Sequence, residues 1–297
     1  MKPAEASAKP AGSGLALAAL LAGATCIALS PIWVRVSEVG PTASAFWRVA
    51  LAVPLLWLLY PLAPRGEVAS QRGKWKLYAA AGFAFAGDLA FWHWSIKFTS
   101  VANSTLLANL ASIFVTLAVW IFWRQKPTGT FLAGLFAALA GVAMLVRTSL
   151  DFSPNGILGD ALGVVTAMFY AWYLLAVKDV RDRGAATLHL MAVTTTVTTA
   201  FLYPVALASG EDLFPDTEIG WLKLVGLAWI SHSAGQGLIA YALAHLPAAF
   251  SSVSLLFQPV MAAVFAWVLL GEPLVALQMA GGVVVLAGIW LARRGSG

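Results

Sequence analysis

The stretch GDLAFWHWSIK, residues 87–97, sets a carboxylate and an imidazole among aromatic rings inside an apolar run. On a helix, Asp88, Phe91, Trp92 and Ser95 stand at i, i+3, i+4 and i+7 and share one face. A carboxylate in that company has two uses: it holds a substrate ammonium, or it carries a coupled proton. It can equally be a structural partner for Arg48, which also lies deep in an apolar run. Both readings stand at this level. His93 points about 90–100° around the helix from Trp92. It is therefore expected to bond a neighbouring helix, while Trp94 belongs to the interfacial aromatic belt.

Other polar groups fall at helical spacing in apolar surroundings. Thr105, Asn109, Ser112 and Thr116 form a stripe at i, i+4, i+7 and i+11. Ser251, Ser254 and Gln258 repeat the pattern and run into Pro259, and His232 and Gln236 stand at i and i+4. Either helix–helix hydrogen bonds or a shared cavity accounts for such stripes. Prolines at 31, 54, 204 and 259 interrupt further apolar runs, and each removes an amide donor and kinks its helix. Pro31 bends the chain where Trp33 is placed to cap a cavity.

The elements that position these groups follow from composition. Of the 297 residues, 60% are hydrophobic and 10% charged, against about 45–50% and 25% for a soluble domain. The expected fold is all-α and polytopic, with spans near 14–36, 42–62, 77–97, 101–123, 130–147, 156–178, 187–208, 221–243, 248–270 and 274–292. Each is long enough for a hydrocarbon core of ~30 Å. With one cysteine, Cys26, no intrachain disulfide or cysteine metal cluster can form, and no metal or other cofactor is expected. The net charge of +5 sits at span ends, where lipid accounts for it, so nucleic acid is not an expected partner. A small-molecule substrate and membrane lipid are, and a monomer suffices.

The ten spans read as five repeated. Residues 101–147 align with 248–294 at an offset of 147, placing Trp120 on Trp267 and Ser104 on Ser251. An odd number of spans per half makes the halves face opposite ways. The expected units are 1–150 and 151–297, two inverted five-helix repeats of the kind secondary transporters use, with a site near the midplane. With the N-terminus inside, 13 Lys+Arg fall on cytoplasmic segments, four on outer ones, and Arg48 within a span. That bias puts both termini in the cytoplasm.

The chain resembles the drug/metabolite transporter superfamily, in its ten-span EamA-type branch. FWR at 46–48 carries the resemblance, with SVANSTLLANLASIFVTLAVWIFW (100–123) and LPAAFSSVSLLFQPVMAAVFAWVLLGEPL (246–274). Gln125 stands where the family has a turn glutamate, matched in the second half by Glu272. The resemblance implies a bacterial inner-membrane exporter of small metabolites working by alternating access. It also implies a cavity lined by spans 1–4 and 6–9, with spans 5 and 10 peripheral. Within the family, the aromatic and neutral amino-acid exporters (YddG-type) are the leading analogue.

The expected substrate-binding residues are Trp33, Asp88, Trp92, Thr105, Asn109, Ser112, His232, Gln236, Ser251, Ser254 and Gln258, with Arg48 and His93 structural or coupling. Spans 3, 4, 8 and 9 would form the cavity, and 1, 2, 6 and 7 its gates. A proton-coupled cationic-drug exporter using Asp88 is the alternative. A sugar-phosphate carrier is disfavoured because Arg48 is the one deep cation. A membrane enzyme lacks a motif, with no HExxH, paired carboxylates or nucleophile elbow. A receptor lacks loops for partners. Impermeant labelling of single cysteines, in a chain without Cys26, should place turn 124–128 inside and turn 271–274 outside. Labelling of both from one side would contradict the inverted repeat.

Overall fold

The computed structural model describes residues 13–63, 75–146 and 156–296. Lys2, Lys9, Arg65, Arg72, Lys74, Arg147 and the expected 150/151 boundary lie outside the described residues. Every regular element among those described is helical. Eight helices are long and apolar enough to cross a membrane, as a polytopic membrane protein requires. Leu58, Phe122 and Ile157 are 75%, 76% and 78% exposed, an arrangement that suits lipid and not water.

Several spans are built of two helices. The first is α1 (Ser13–Ala28) with α2 (Ser30–Arg35), and the second is α3 (Pro41–Ala50) with α4 (Ala52–Leu59). Then come α5 (Trp75–Phe98), the pair α6 (Val101–Ala108) and α7 (Ala111–Trp123), and α8 (Gly129–Val146). The remainder comprises α9 (Gly156–Asp182), α10 (Thr187–Ala208), α11 (Glu218–Gly226), a π-helical segment Leu227–Gln236, α12 (Gly237–Leu243), α13 (Ala248–Ser254), α14 (Phe257–Leu270) and α15 (Ala276–Arg294). Three breaks precede prolines 31, 54 and 259, whereas Pro204 stays inside continuous α10. At the last break the Leu255 carbonyl lacks a Pro259 amide and takes that of Gln258 at 2.9 Å. The α6/α7 break at Asn109–Leu110 has no proline. There the Asn109 amide side chain donates to the Thr105 carbonyl at 2.7 Å, and the Ser112 hydroxyl donates to that of Asn109 at 3.0 Å.

The closest glycine contacts of α8 with α15 run antiparallel. A Cβ on Gly134 would stand 2.6 Å from the Gly288 carbonyl, and one on Gly141 would stand 2.6 Å from that of Gly281. A side chain there would push α8 and α15 apart. Gly87 lies against the Phe169 ring between α5 and α9, and Gly23 against Gly235 between α1 and the π segment.

Polar contacts tie one end of the bundle together. The Glu211 carboxylate accepts from the Ala43 amide at 2.9 Å and the Thr42 hydroxyl at 2.8 Å, in the first turn of α3, and Lys97 lies 3.1 Å away. Partial burial would raise its pKa, but those amide, hydroxyl and ammonium groups outweigh burial and hold it below the ordinary carboxylate value. Glu38 accepts from Thr217, the N-cap of α11, and Arg35 pairs with Glu272. At the other end the Thr128 hydroxyl donates to the Gly295 carbonyl at 2.7 Å.

Turns after α7 and α14 both end in the left-handed region, at Arg124 with φ 59° and Gly271 with φ 70°. That conformation costs a side chain with a Cβ roughly 1–2 kcal/mol. Arg124→Gly should therefore raise the thermal unfolding midpoint in detergent, and Gly271→Arg should lower it. A lower midpoint for Arg124→Gly would show that Arg124 contributes more through contacts than its backbone costs.

Candidate substrate cavity

The helix breaks flank a cavity of about 180 Å³ within the bundle. Its lining comes from spans 1, 2, 3, 4, 6, 8 and 9 and includes no residue of α8, α10 or α15. Spans 1, 2 and 6, assigned as gates, wall the space itself, as a lining by spans 1–4 and 6–9 implies, whereas span 7 contributes no lining residue.

The α5 wall is Phe85, Asp88, Leu89, Trp92 and His93, a stripe at i, i+3, i+4, i+7 and i+8. This stripe is wide enough to bring Trp92 and His93 to the same space, which corrects the expectation that His93 turns away. The His93 ring packs edge-on against Trp92, centroids 4.8 Å apart. Its Nδ1 lies 2.5 Å from the Leu89 carbonyl; a carbonyl only accepts, so this nitrogen carries the proton. Trp94 is 40% exposed and faces away from the core.

Arg48 and Asp88 line the same cavity, but they do not form the ion pair that the structural one of the two readings required. Among the described residues the ion pairs are Arg35–Glu272, Lys97–Glu211, Lys178–Asp182 and Arg183–Asp179. The Arg48 guanidinium instead lies 5.9 Å from the Phe85 ring centroid, and its buried Nε has no hydrogen-bond partner.

Thr105, Asn109, Gln236 and Gln258 also reach the cavity. The other expected residues are held elsewhere. Trp33 follows the cavity-lining Ser30 and Pro31 on α2, points roughly 200° from Pro31 around the helix, and packs against Gly226. His232 lies behind Phe85, ring centroids 5.4 Å apart, with Nε2 2.9 Å from the Thr195 hydroxyl. The π winding, in which amides reach back five residues, alters its angle relative to Gln236. Ser251 and Ser254 are fully buried and outside the lining, and the Ser254 hydroxyl donates to the Phe250 carbonyl at 2.9 Å. The Leu255–Leu256 break separates them from Gln258. Ser112 borders a side pocket of about 20 Å³ shared with Asn109, Tyr170 and Gln258, room for a single water.

The span 4 stripe thus bonds its own helix: Asn109, Ser112 and the Thr116 hydroxyl (2.7 Å to the Ser112 carbonyl) each answer a backbone carbonyl. Sequence reasoning missed Phe85 and Tyr170. Tyr170 stands with Thr166 and Tyr173 at i, i+4 and i+7 on α9, and Tyr173 donates to the Gln236 side chain at 3.5 Å. That spacing was the available signal.

Asn109 and Gln258 should separate on mutation. Asn109→Ala removes a side-chain bond to the mid-span Thr105 carbonyl, made in addition to that carbonyl's helical amide bond, and should cost about 1 kcal/mol of stability. The Gln258 side chain answers no backbone carbonyl and meets Tyr170 on the cavity wall, so Gln258→Ala should cost less stability than Asn109→Ala while lowering transport per folded molecule. Equal loss of stability in both variants would contradict this division.

The EamA-like transporter family matches this sequence twice, over residues 14–147 and 157–294. A transporter of Archaeoglobus fulgidus is 29% identical over 88% of this chain and 90% of its own. A probable amino-acid metabolite efflux pump of Salmonella typhimurium is 27% identical over 69% of this chain and 72% of its own. A solved crystal structure shares the fold with a TM-score of 0.81, at 15% identity, over 96% of this chain and 98% of that one. With both halves of its length matched, the chain belongs to the EamA-like transporter family, a family of transporters and not of enzymes.

Proposed function

We propose that this transporter exports small neutral amino acids, aromatic ones foremost, from the cytoplasm by alternating access. The observation that carries the reading is a cavity bordered by broken helices and lined with both charges and aromatic rings. The Salmonella relative's name, an amino-acid metabolite efflux pump, supports the same substrate class. Arg48 on the cavity wall weighs against the cationic-drug reading, because it repels a cation that Asp88 would attract.

In this proposal ten spans form two inverted repeats, 1–150 and 151–297, in a bacterial inner membrane with both termini cytoplasmic. Several contacts support the repeat. Shifted by 147 residues, the Gly134–Gly288 approach becomes Gly281–Gly141, which is also made. The same shift carries Arg124 onto Gly271, both left-handed, and the break at Asn109 onto that at Leu256. Gly87–Phe169 becomes 234–22, one residue from the Gly235–Gly23 contact. Arg48 and Asp88 serve as substrate contacts, joined at the wall by Trp92, Thr105, Asn109, Gln236 and Gln258. His93 positions Trp92. Trp33, Ser112, His232, Ser251 and Ser254 serve the packing around them.

Everted vesicles loaded through this protein should accumulate labelled phenylalanine, tryptophan or leucine above vesicles lacking it. Accumulation of a lipophilic cation alone would replace this reading with the cationic-drug one.

A further inference from the structure

We propose that Arg48 and Asp88 form a two-charge clamp, Arg48 taking the carboxylate and Asp88 the ammonium of a zwitterionic substrate. This deepens the amino-acid export reading and rests on it.

Both charged groups face one cavity and feel one another there, but among the described residues neither side chain closes into an ion pair or a hydrogen bond. Among the described residues Asp88 has no ion-pair partner and no hydrogen-bond partner. The Arg48 Nε is buried without a partner, and its guanidinium is stacked toward Phe85. A long arginine side chain normally closes on a nearby carboxylate, because unpaired charges in a low-dielectric interior are costly. Here α3 holds Arg48 and α5 holds Asp88 on the same space without closing them into an ion pair.

Two separated, opposite charges discriminate by ligand charge pattern. A lone cation gains Asp88 and meets Arg48 as a like charge; a lone anion has the opposite problem. A zwitterion answers both and leaves no charge unpaired. Phe85, Trp92 and Tyr170 on the same walls offer faces and edges to an apolar or aromatic side chain.

The test is equilibrium binding of three labelled probes to the purified full chain in detergent: phenylalanine, phenethylamine and 3-phenylpropanoate. They share a ring and differ only in charge. The parent should bind phenylalanine at least about tenfold more tightly than either fragment, a factor worth one charge-assisted contact. Asp88→Asn should weaken phenylalanine and improve 3-phenylpropanoate relative to it. Arg48→Gln should weaken phenylalanine and improve phenethylamine relative to it. Asp88→Glu and Arg48→Lys keep the charges and should keep the parental order of preference, even if the neutralised variants fold poorly. If the parent binds phenylalanine and each variant weakens all three probes by one factor, the clamp is wrong and the export reading survives. A parent that binds no amino acid overturns both.

Discussion

Hydrocarbon cannot answer a polar group, so each one in a spanning segment must be met inside the protein. The centre of this bundle is organised by that constraint. Prolines 31, 54 and 259 and the Asn109 turn interrupt the helical ladder at mid-span, where freed carbonyls would be most costly. The protein answers them with its own groups, the Gln258 amide for Leu255 and the Ser112 hydroxyl for Asn109. The broken helices surround a cavity, the one place in a membrane protein where irregular backbone and charge are tolerated. Arg48 and Asp88 are admitted there because they face that space and not lipid.

Rigid and interrupted elements are divided accordingly. The α8–α15 pair is unbroken, joined by reciprocal glycine contacts, and contributes nothing to the cavity wall. Spans 1, 2, 4 and 9 are each jointed near the cavity. One end of the assembly is closed by contacts that are polar and exchangeable: Glu211 on the α3 N-terminus, Glu38 on Thr217, Arg35 on Glu272. Such bonds can be traded for water at modest cost, which is what the proposed alternating access asks of an end that opens.

Much of this was legible in the sequence, for physical reasons. Apolar run length gives span positions, and a period of 147 residues gives the pairing of Trp120 with Trp267. Asp88 and Trp92 could be placed on one cavity face because α5 is a continuous helix, in which spacing fixes direction. The same reasoning failed where the helix is not regular. Trp33 follows a break, Ser251 and Ser254 lie across one from Gln258, and His232 sits on π-helical turns. Spacing along the chain no longer sets a common direction across such joints. The polar stripe of span 4 was legible only in part: Thr105 and Asn109 reach the cavity, and Ser112 and Thr116 do not line it. Periodicity reveals a polar face, but not that Asn109, Ser112 and Thr116 spend that polarity on their own backbone. Phe85 and Tyr170 carry no charge to draw attention, and only three-dimensional packing sets them beside Arg48 and Asp88.

The central claim is that this cavity is the substrate site and is reached in turn from each side of the membrane. Ala262 lines it and carries no polar function, so a cysteine there, in a chain with Cys26→Ala, is a direct reporter. Reaction with an impermeant maleimide should occur from either face in right-side-out and everted vesicles, and phenylalanine should slow it from both. Reaction from one face only, or a rate indifferent to every amino acid offered, would contradict the account.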